Sequence, residues 1–443
     1  MAVPGPTDLA GSAGSMRPTG SDAASSGEAP GLRERKKLET FRALQAAAQR
    51  LVGERGLDNV TIEEIAAAAN VSKRTFFNYF DCKEAAVVDP DLGKVERLAA
   101  ELAARPADES PLLSLWQATL VVLTHHAEGV QDLSGLVTAN PGLAARQAHS
   151  YDRYRKVTIE WAAERTGVDP DRNVYPALLA TIGGLMAHLS VTRWEPGSGV
   201  EGHVRLSDEI FRLIAHGLAA PCPGGPVPDC PNRVPFDART ATDDGPLGLR
   251  ERKKFETFQA LQGAAHRLVL ERGLDNVTVE EIAAAANVSK RTFFNYFESK
   301  EAALIDPEPG KPEWLAAALA ARPASETPLE ALWAAAVDLL VRDAPILRAL
   351  SGLIAANPTL AARQAASFAR FQRVIEAWAA ERTGVDPDTN LYPALLAAIG
   401  VAAVRLTLER WRPETGDEGY LRSVQEILDL LRTGLAAPLP DTC

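Results

Sequence analysis

Between residues 33 and 56 the chain reads RERKKLETFRALQAAAQRLVGERG, with apolar residues at three- and four-residue steps. Leu38, Phe41, Leu44, Ala48 and the pair Leu51–Val52 fall on one face of a helix, and Gly56 suits its end. TIEEIAAAAN follows at 61–70. Thr61 as N-cap, with Glu64 three residues on, makes a capping box, and Asn70 tolerates the left-handed backbone of a tight turn. Ser72 can cap the next helix, KRTFFNYF. The same periodicity predicts helices over 94–104, 111–127, 143–166, 173–194 and 203–219. No alternating strand pattern bounded by turn pairs occurs, so the fold class is all-α.

Every one of these elements returns 217 positions later. VSKRTFFNYF fills 71–80 and again 288–297, ERTGVDPD recurs at 164 and 381, and GLAAP at 217 and 434. The offset never changes, so no insertion or deletion separates the copies. A period this long is a domain duplicated in tandem rather than a solenoid repeat. Between 31–86 and 248–303 only eight positions differ: Leu38/Phe255, Arg42/Gln259, Ala46/Gly263, Gln49/His266, Gly53/Leu270, Ile62/Val279, Asp81/Glu298 and Cys82/Ser299. The later segments differ more, so within each copy the first third has changed least. The pattern divides the chain into a Gly/Ser/Pro/Ala-rich leader at 1–30, read as disordered, and helical blocks at 31–86 and 87–218. A Pro/Gly/Asp-rich linker at 219–247 then precedes blocks at 248–303 and 304–438.

Composition narrows the function. The net charge of −11 means that a nucleic-acid surface must be a local basic patch on an acidic body. No uninterrupted apolar run of membrane-spanning length occurs, and the N-terminal stretch lacks the basic start and apolar core of a signal peptide. Without a secretion signal, Cys82, Cys222, Cys230 and Cys443 read as free thiols. The seven histidines form no metal spacing, and no nucleophile–base pair or phosphate loop is repeated in both copies. An enzyme, a metal site and a bound cofactor are therefore not expected.

The segments 61–68 and 72–80, joined by AANVS, have the shape of a helix-turn-helix. The second helix opens with Lys73, Arg74 and Thr75, two cations and a hydroxyl where a major-groove reader needs them. Phe76 and Phe80 lie four apart, as core contacts do. Arg33, Arg35, Lys36 and Lys37 precede the motif as a basic arm suited to phosphate. Each feature alone also reads as a solvated face or a core stripe; together they indicate DNA binding.

These residues resemble the DNA-binding segment of TetR-type transcriptional regulators. Thr61, Ile65, Ala66, Ala69, Val71, Ser72, Thr75, Tyr79, Phe80, Lys83 and Glu84 match the family pattern, as do their partners at 278–301. Asn70 and Asn287 replace the usual turn glycine. Phe77 and Phe294 replace the usual tyrosine, removing a hydroxyl that the family places against phosphate. The resemblance implies phosphate contacts from Thr61, Ser72, Tyr79 and Lys83, with Lys73, Arg74, Thr75 and Asn78 near base edges or flanking phosphates. In the second copy the equivalents are Thr278, Ser289, Tyr296, Lys300, Lys290, Arg291, Thr292 and Asn295, with Arg250, Arg252, Lys253 and Lys254 as the arm.

The rest of each copy then corresponds to a ligand-binding and dimerisation domain, more loosely similar to actinobacterial regulators of acyl-coenzyme A-like ligands. Candidate ligand residues are Trp116, Asn140, Arg146, Tyr154 and Trp161, with Trp333, Asn357, Arg363, Phe371 and Trp378 in the second copy. The tryptophans read equally as packing residues, and Arg146 equally as a surface ion pair. The family's four-helix dimer interface is expected from 173–194 and 203–217. The resemblance implies a cytoplasmic, nucleoid-associated bacterial regulator that binds a double-stranded inverted repeat and answers to a small-molecule effector. Both half-sites are to be read by one chain, as a pseudodimer, although a homodimer of chains stays open. So does an architectural or protein-sensing DNA binder without an effector. Divergent regulatory halves leave room for two unlike pockets, or for one that has been lost.

Overall fold

The computed structural model describes residues 32–88, 93–124, 141–193, 198–218, 249–307, 310–412 and 415–435; side chains at 32–35, 141–142, 144–150, 191, 249–251 and 338–343 are outside it. The expected leader and linker, Cys222, Cys230 and Cys443, and Asn140 lie outside the described residues. Those residues are all-helical, without a strand. The first copy comprises α1 (Leu32–Arg55), α2 (Ile62–Ala68), α3 (Lys73–Phe77), α4 (Lys83–Val88), α5 (Lys94–Ala103), α6 (Pro111–Thr124), α7 (Pro141–Thr166), α8 (Tyr175–Thr192) and α9 (Gly199–Ala215). The second comprises α10 (Leu249–Arg272), α11 (Val279–Ala285), α12 (Lys290–Phe294), α13 (Lys300–Ile305), α14 (Lys311–Ala320), α15 (Pro328–Ala356), α16 (Pro358–Thr383), α17 (Tyr392–Arg410) and α18 (Gly416–Arg432).

The apolar face of α1 buries Phe41, Leu44, Ala48, Leu51 and Val52 with Ile65, Phe76 and Phe80, and α10 does the same in a separate small core. Burying such aromatic and aliphatic side chains contributes roughly 1.5–3 kcal/mol each. Where the copies differ, the contact survives: Gln49 Nε2 donates to Val87 O at 2.9 Å, and His266 Nε2 reaches Leu304 O at 2.9 Å.

The regulatory halves share one continuous core containing Leu178, Leu179 and Ile182 from the first copy with Leu395, Leu396 and Ile399 from the second. Helices α7 and α8 pack across onto α16 and α17. This corrects the expectation of 173–194 with 203–217: α9 and α18 meet the other copy chiefly through their C-terminal ends. There Gly217 and Gly434 adopt φ of 71° and 66°, and a Cβ at either would lie within 2.3 Å and 2.0 Å of Arg432 O and Ala215 O respectively. Only glycine permits that approach. The next residues, Leu218 and Leu435, are also left-handed, which turns each carbonyl toward the opposite copy. Arg193 and its equivalent Arg410 reach across to Pro387 O (3.3 Å) and Pro170 O (2.8 Å). Helix α17 is long and apolar enough to cross a membrane, but most of it is buried inside this shared core.

α15 continues for 29 residues through Pro345, well past the helix end expected near 344. Its first half lies in the regulatory core through Leu329 and Leu332. Its second half places Leu350 and Ile354 in the DNA-binding core.

Candidate nucleic-acid interface

The capping box forms as the sequence requires. The Thr61 hydroxyl accepts from Glu64 N (3.3 Å) and donates to Glu64 Oε2 (2.9 Å), while Thr61 N donates to the same oxygen at 2.9 Å. Asn70 sits at φ 56° and Asn287 at 55°, and Val71 N closes the turn on Ala66 O at 2.9 Å. This is the six-to-one bond of a Schellman ending. The Ser72 hydroxyl then accepts from Thr75 N at 3.0 Å and caps α3. The α-helix is shorter than the expected 72–80. After Phe77 the chain tightens, with Asn78 N on Thr75 O (3.1 Å) and Tyr79 N on Phe76 O (2.9 Å).

Capping places α3 with one face inward and one outward. Phe76 and Phe80 are buried, whereas Phe77 is 48% exposed and Phe294 49%. The outward face carries Lys73, Arg74, Phe77 and Asn78, all exposed. The side chains of Arg74 and Arg291 have no hydrogen bond or ion pair among the described residues, so each guanidinium is available. Lys73 differs: its ammonium is paired with Glu63, and Lys290 with Glu280. That ion pair holds the Glu63 carboxyl below the usual carboxylate range. Both lysines also lie over the exposed phenylalanine ring, at 6.0 Å and 5.9 Å. Lys36 and Lys37 are exposed on α1, as are Arg252, Lys253 and Lys254 on α10; the side chains of Arg33, Arg35 and Arg250 are outside the described residues.

Lys83 has a different placement from the rest. Its half-buried ammonium donates to Leu57 O (2.7 Å) and Val60 O (3.2 Å), and Lys300 repeats this at 2.7 and 3.1 Å. It braces the loop before α2 and keeps at most its third proton for a phosphate. Tyr79 and Tyr296 are half-buried beside the exposed face. Thr75 and Thr292 hydrogen-bond the capping serines at 2.8 Å. Ser289, Thr278 and Asn295 repeat the placements of Ser72, Thr61 and Asn78.

The ligand candidates separate into two groups. Trp333 and Phe371 line a cavity of about 110 Å³ in the second copy, with Leu332, Ala336, Leu347 and Val404 among its apolar walls. Trp116 borders a space of only about 10 Å³, and Tyr154 packs against the shared core. The others have structural partners. Trp161 and Trp378 donate to Leu102 O and Leu319 O, each at 3.1 Å, and Asn357 caps α16 by accepting from Thr359 N and Leu360 N. Arg363 pairs with Asp306 at 2.7 Å and with Glu298, tying α16 to the DNA-binding unit. The Arg146 side chain is outside the described residues. Sequence reasoning missed this bridge and the divided role of α15; the Arg363 pairing joins residues 57 and 65 positions apart, beyond any local pattern.

Residues 44–87 and 263–305 match the family of bacterial regulatory proteins, tetR family, and 118–219 and 326–436 match the MftR C-terminal domain. TcmR of Streptomyces glaucescens, an HTH-type transcriptional regulator, is 35% identical over 212 residues, which are 44% of this chain and 92% of that protein. The chain belongs to the TetR family of bacterial regulatory proteins. It carries the family's paired domains twice, and is thus a DNA-binding transcriptional regulator. YdeS of Bacillus subtilis (strain 168), an uncharacterised HTH-type transcriptional regulator, is 44% identical over 50 residues, 11% of this chain and 25% of that protein. Among solved structures, Thermus thermophilus FadR, a TetR-family repressor in complex with lauroyl-CoA, aligns over 42% of this chain and 100% of its own at 26% identity, with a TM-score of 0.27.

Proposed function

We propose that the chain is a single-chain pseudodimeric repressor that reads an inverted-repeat operator with both copies and is released by a small ligand. The observation that supports this most is the pairing of two identical reading helices, each with an unpaired arginine, through one core shared by both copies. Fusion makes that pairing independent of protein concentration, because the partner is present at an effective concentration of roughly millimolar.

Release follows from the path of α15. Leu347 lines the cavity, and Leu350 and Ile354, three and seven residues on, sit in the DNA-binding core. Pro345 interrupts the backbone ladder just before them. A ligand that favours a different position of this half-helix shifts the population away from the DNA-reading arrangement. The cavity also favours this reading over a DNA binder without an effector.

The test is operator selection followed by the mass of the complex in solution. One chain per operator supports the proposal; two chains per operator sink it. Arg74→Ala and Arg291→Ala should each cost about 1–3 kcal/mol at opposite half-sites. Unchanged affinity in the double variant would remove these residues from the interface.

A further inference from the structure

The two tryptophans at equivalent positions are hydrogen-bonded differently. In the first copy the Trp116 indole N–H donates to Ser207 O at 3.1 Å and the ring stacks on Phe211, with centroids 4.9 Å apart. In the second copy the Trp333 indole nitrogen is buried with no hydrogen-bond partner. Its ring borders the 110 Å³ cavity. The surroundings differ at three positions: Val424 replaces Ser207, Leu428 replaces the stacking Phe211, and Ala403 replaces Met186, which borders the space beside Trp116.

A buried donor left unpaired costs roughly 1–3 kcal/mol, and an apolar void sacrifices contacts as well. A ligand with an acceptor can relieve both. The walls restrict its charge. Among the residues bordering the cavity the polar groups are the Trp333 N–H and the Thr407 hydroxyl, and the latter already donates to Ala403 O at 2.9 Å. Among the described side chains no cation borders it, and Arg363 is held by Asp306 and Glu298. An ionised group would therefore enter without a partner. The size is on the scale of an engineered apolar cavity of about 150 Å³ that binds benzene.

We infer that the chain is an asymmetric sensor: the second copy alone binds an uncharged, mostly apolar ligand whose acceptor takes the Trp333 indole N–H. This deepens the effector-release reading given above and rests on it for the link to DNA. For an acyl-coenzyme A only the acyl part finds matching walls; its phosphates find no cation among the described residues there.

The test uses the full-length free protein, so it stands or falls apart from operator binding. The probes are acetophenone, isopropylbenzene of nearly the same shape without an acceptor, and benzoate. Indole N–H resonances are followed by two-dimensional NMR, with Trp333 assigned from Trp333→Phe. Acetophenone should move the Trp333 signal downfield and leave Trp116 in place; isopropylbenzene should bind without that shift, and benzoate should not bind. Trp333→Phe should weaken acetophenone roughly five- to tenfold and leave isopropylbenzene unchanged. Ala336→Leu, filling the cavity from its α15 wall, should abolish both. Equal responses at Trp116 and Trp333, preference for benzoate, no response to any probe, or unchanged binding in Ala336→Leu overturns the inference. Trp333→Phe keeps the test decisive if Ala336→Leu does not fold.

Discussion

The Tyr175 hydroxyl donates to the carbonyl of Leu435, 2.8 Å away in the other copy, and Tyr392 returns the bond to Leu218 at 2.7 Å. Both tyrosines are fully buried, and burial holds each phenol protonated well above its usual range. Tyr175→Phe and Tyr392→Phe should each destabilise the chain by about 1–3 kcal/mol, since each leaves a buried carbonyl unpaired. Urea unfolding checks this. If the double variant loses nothing, the crossed bonds do not hold the copies together.

The Asn70 turn should discriminate among small residues. Asn70→Gly is expected to be neutral or slightly stabilising, because φ of 56° costs glycine no Cβ strain. Asn70→Ala should cost about 1–2 kcal/mol. Thermal unfolding of the two variants, with Asn287 changed alike, separates them.

Glu63 and Glu280 restrain the lysines of the reading helices. Glu63→Gln with Glu280→Gln should tighten binding to DNA and steepen the plot of log K against log salt by about one per copy. The sign with pH follows. A depressed carboxyl keeps its charge, and thus the pair, down through the ordinary carboxylate range. Changes near neutral pH should therefore not mimic the substitution. An unaltered salt slope would show that Lys73 and Lys290 do not reach phosphate.

Cys82 does the work of a serine. Its sulfur accepts from Ala85 N at 3.4 Å, as Ser299 Oγ accepts from Ala302 N at 3.2 Å. Burial pushes the thiol up to about 11 from 9.0, so the thiolate fraction is about a hundredfold below that of an ordinary cysteine. Alkylation mapped by mass spectrometry should be correspondingly slow at Cys82. Cys82→Ser should be neutral or stabilise by up to about 1 kcal/mol.

The helical architecture and the reading helix could be derived from sequence because their signals are local. Thr61 with Glu64, Asn70 and Ser72 act within three or four residues, and each forms the bond its position implies. The shared core was less legible: α7 carries many polar residues yet crosses to α16, a pairing that only tertiary packing selects. Of the cavity, Trp333 and Phe371 were named from the sequence, but not its size or its other walls. Those walls include Gly400, Val404 and Val424, which meet Trp333 only after 328–356 and 392–432 have packed.

The constant offset of 217 residues also changes how such a protein can be inherited. In a dimer of two identical chains, any codon change appears on both sides of the axis at once. Here Ala403 and Met186 are separate codons. One regulatory half can thus drift while its twin is held, and the two DNA-reading helices can stay alike.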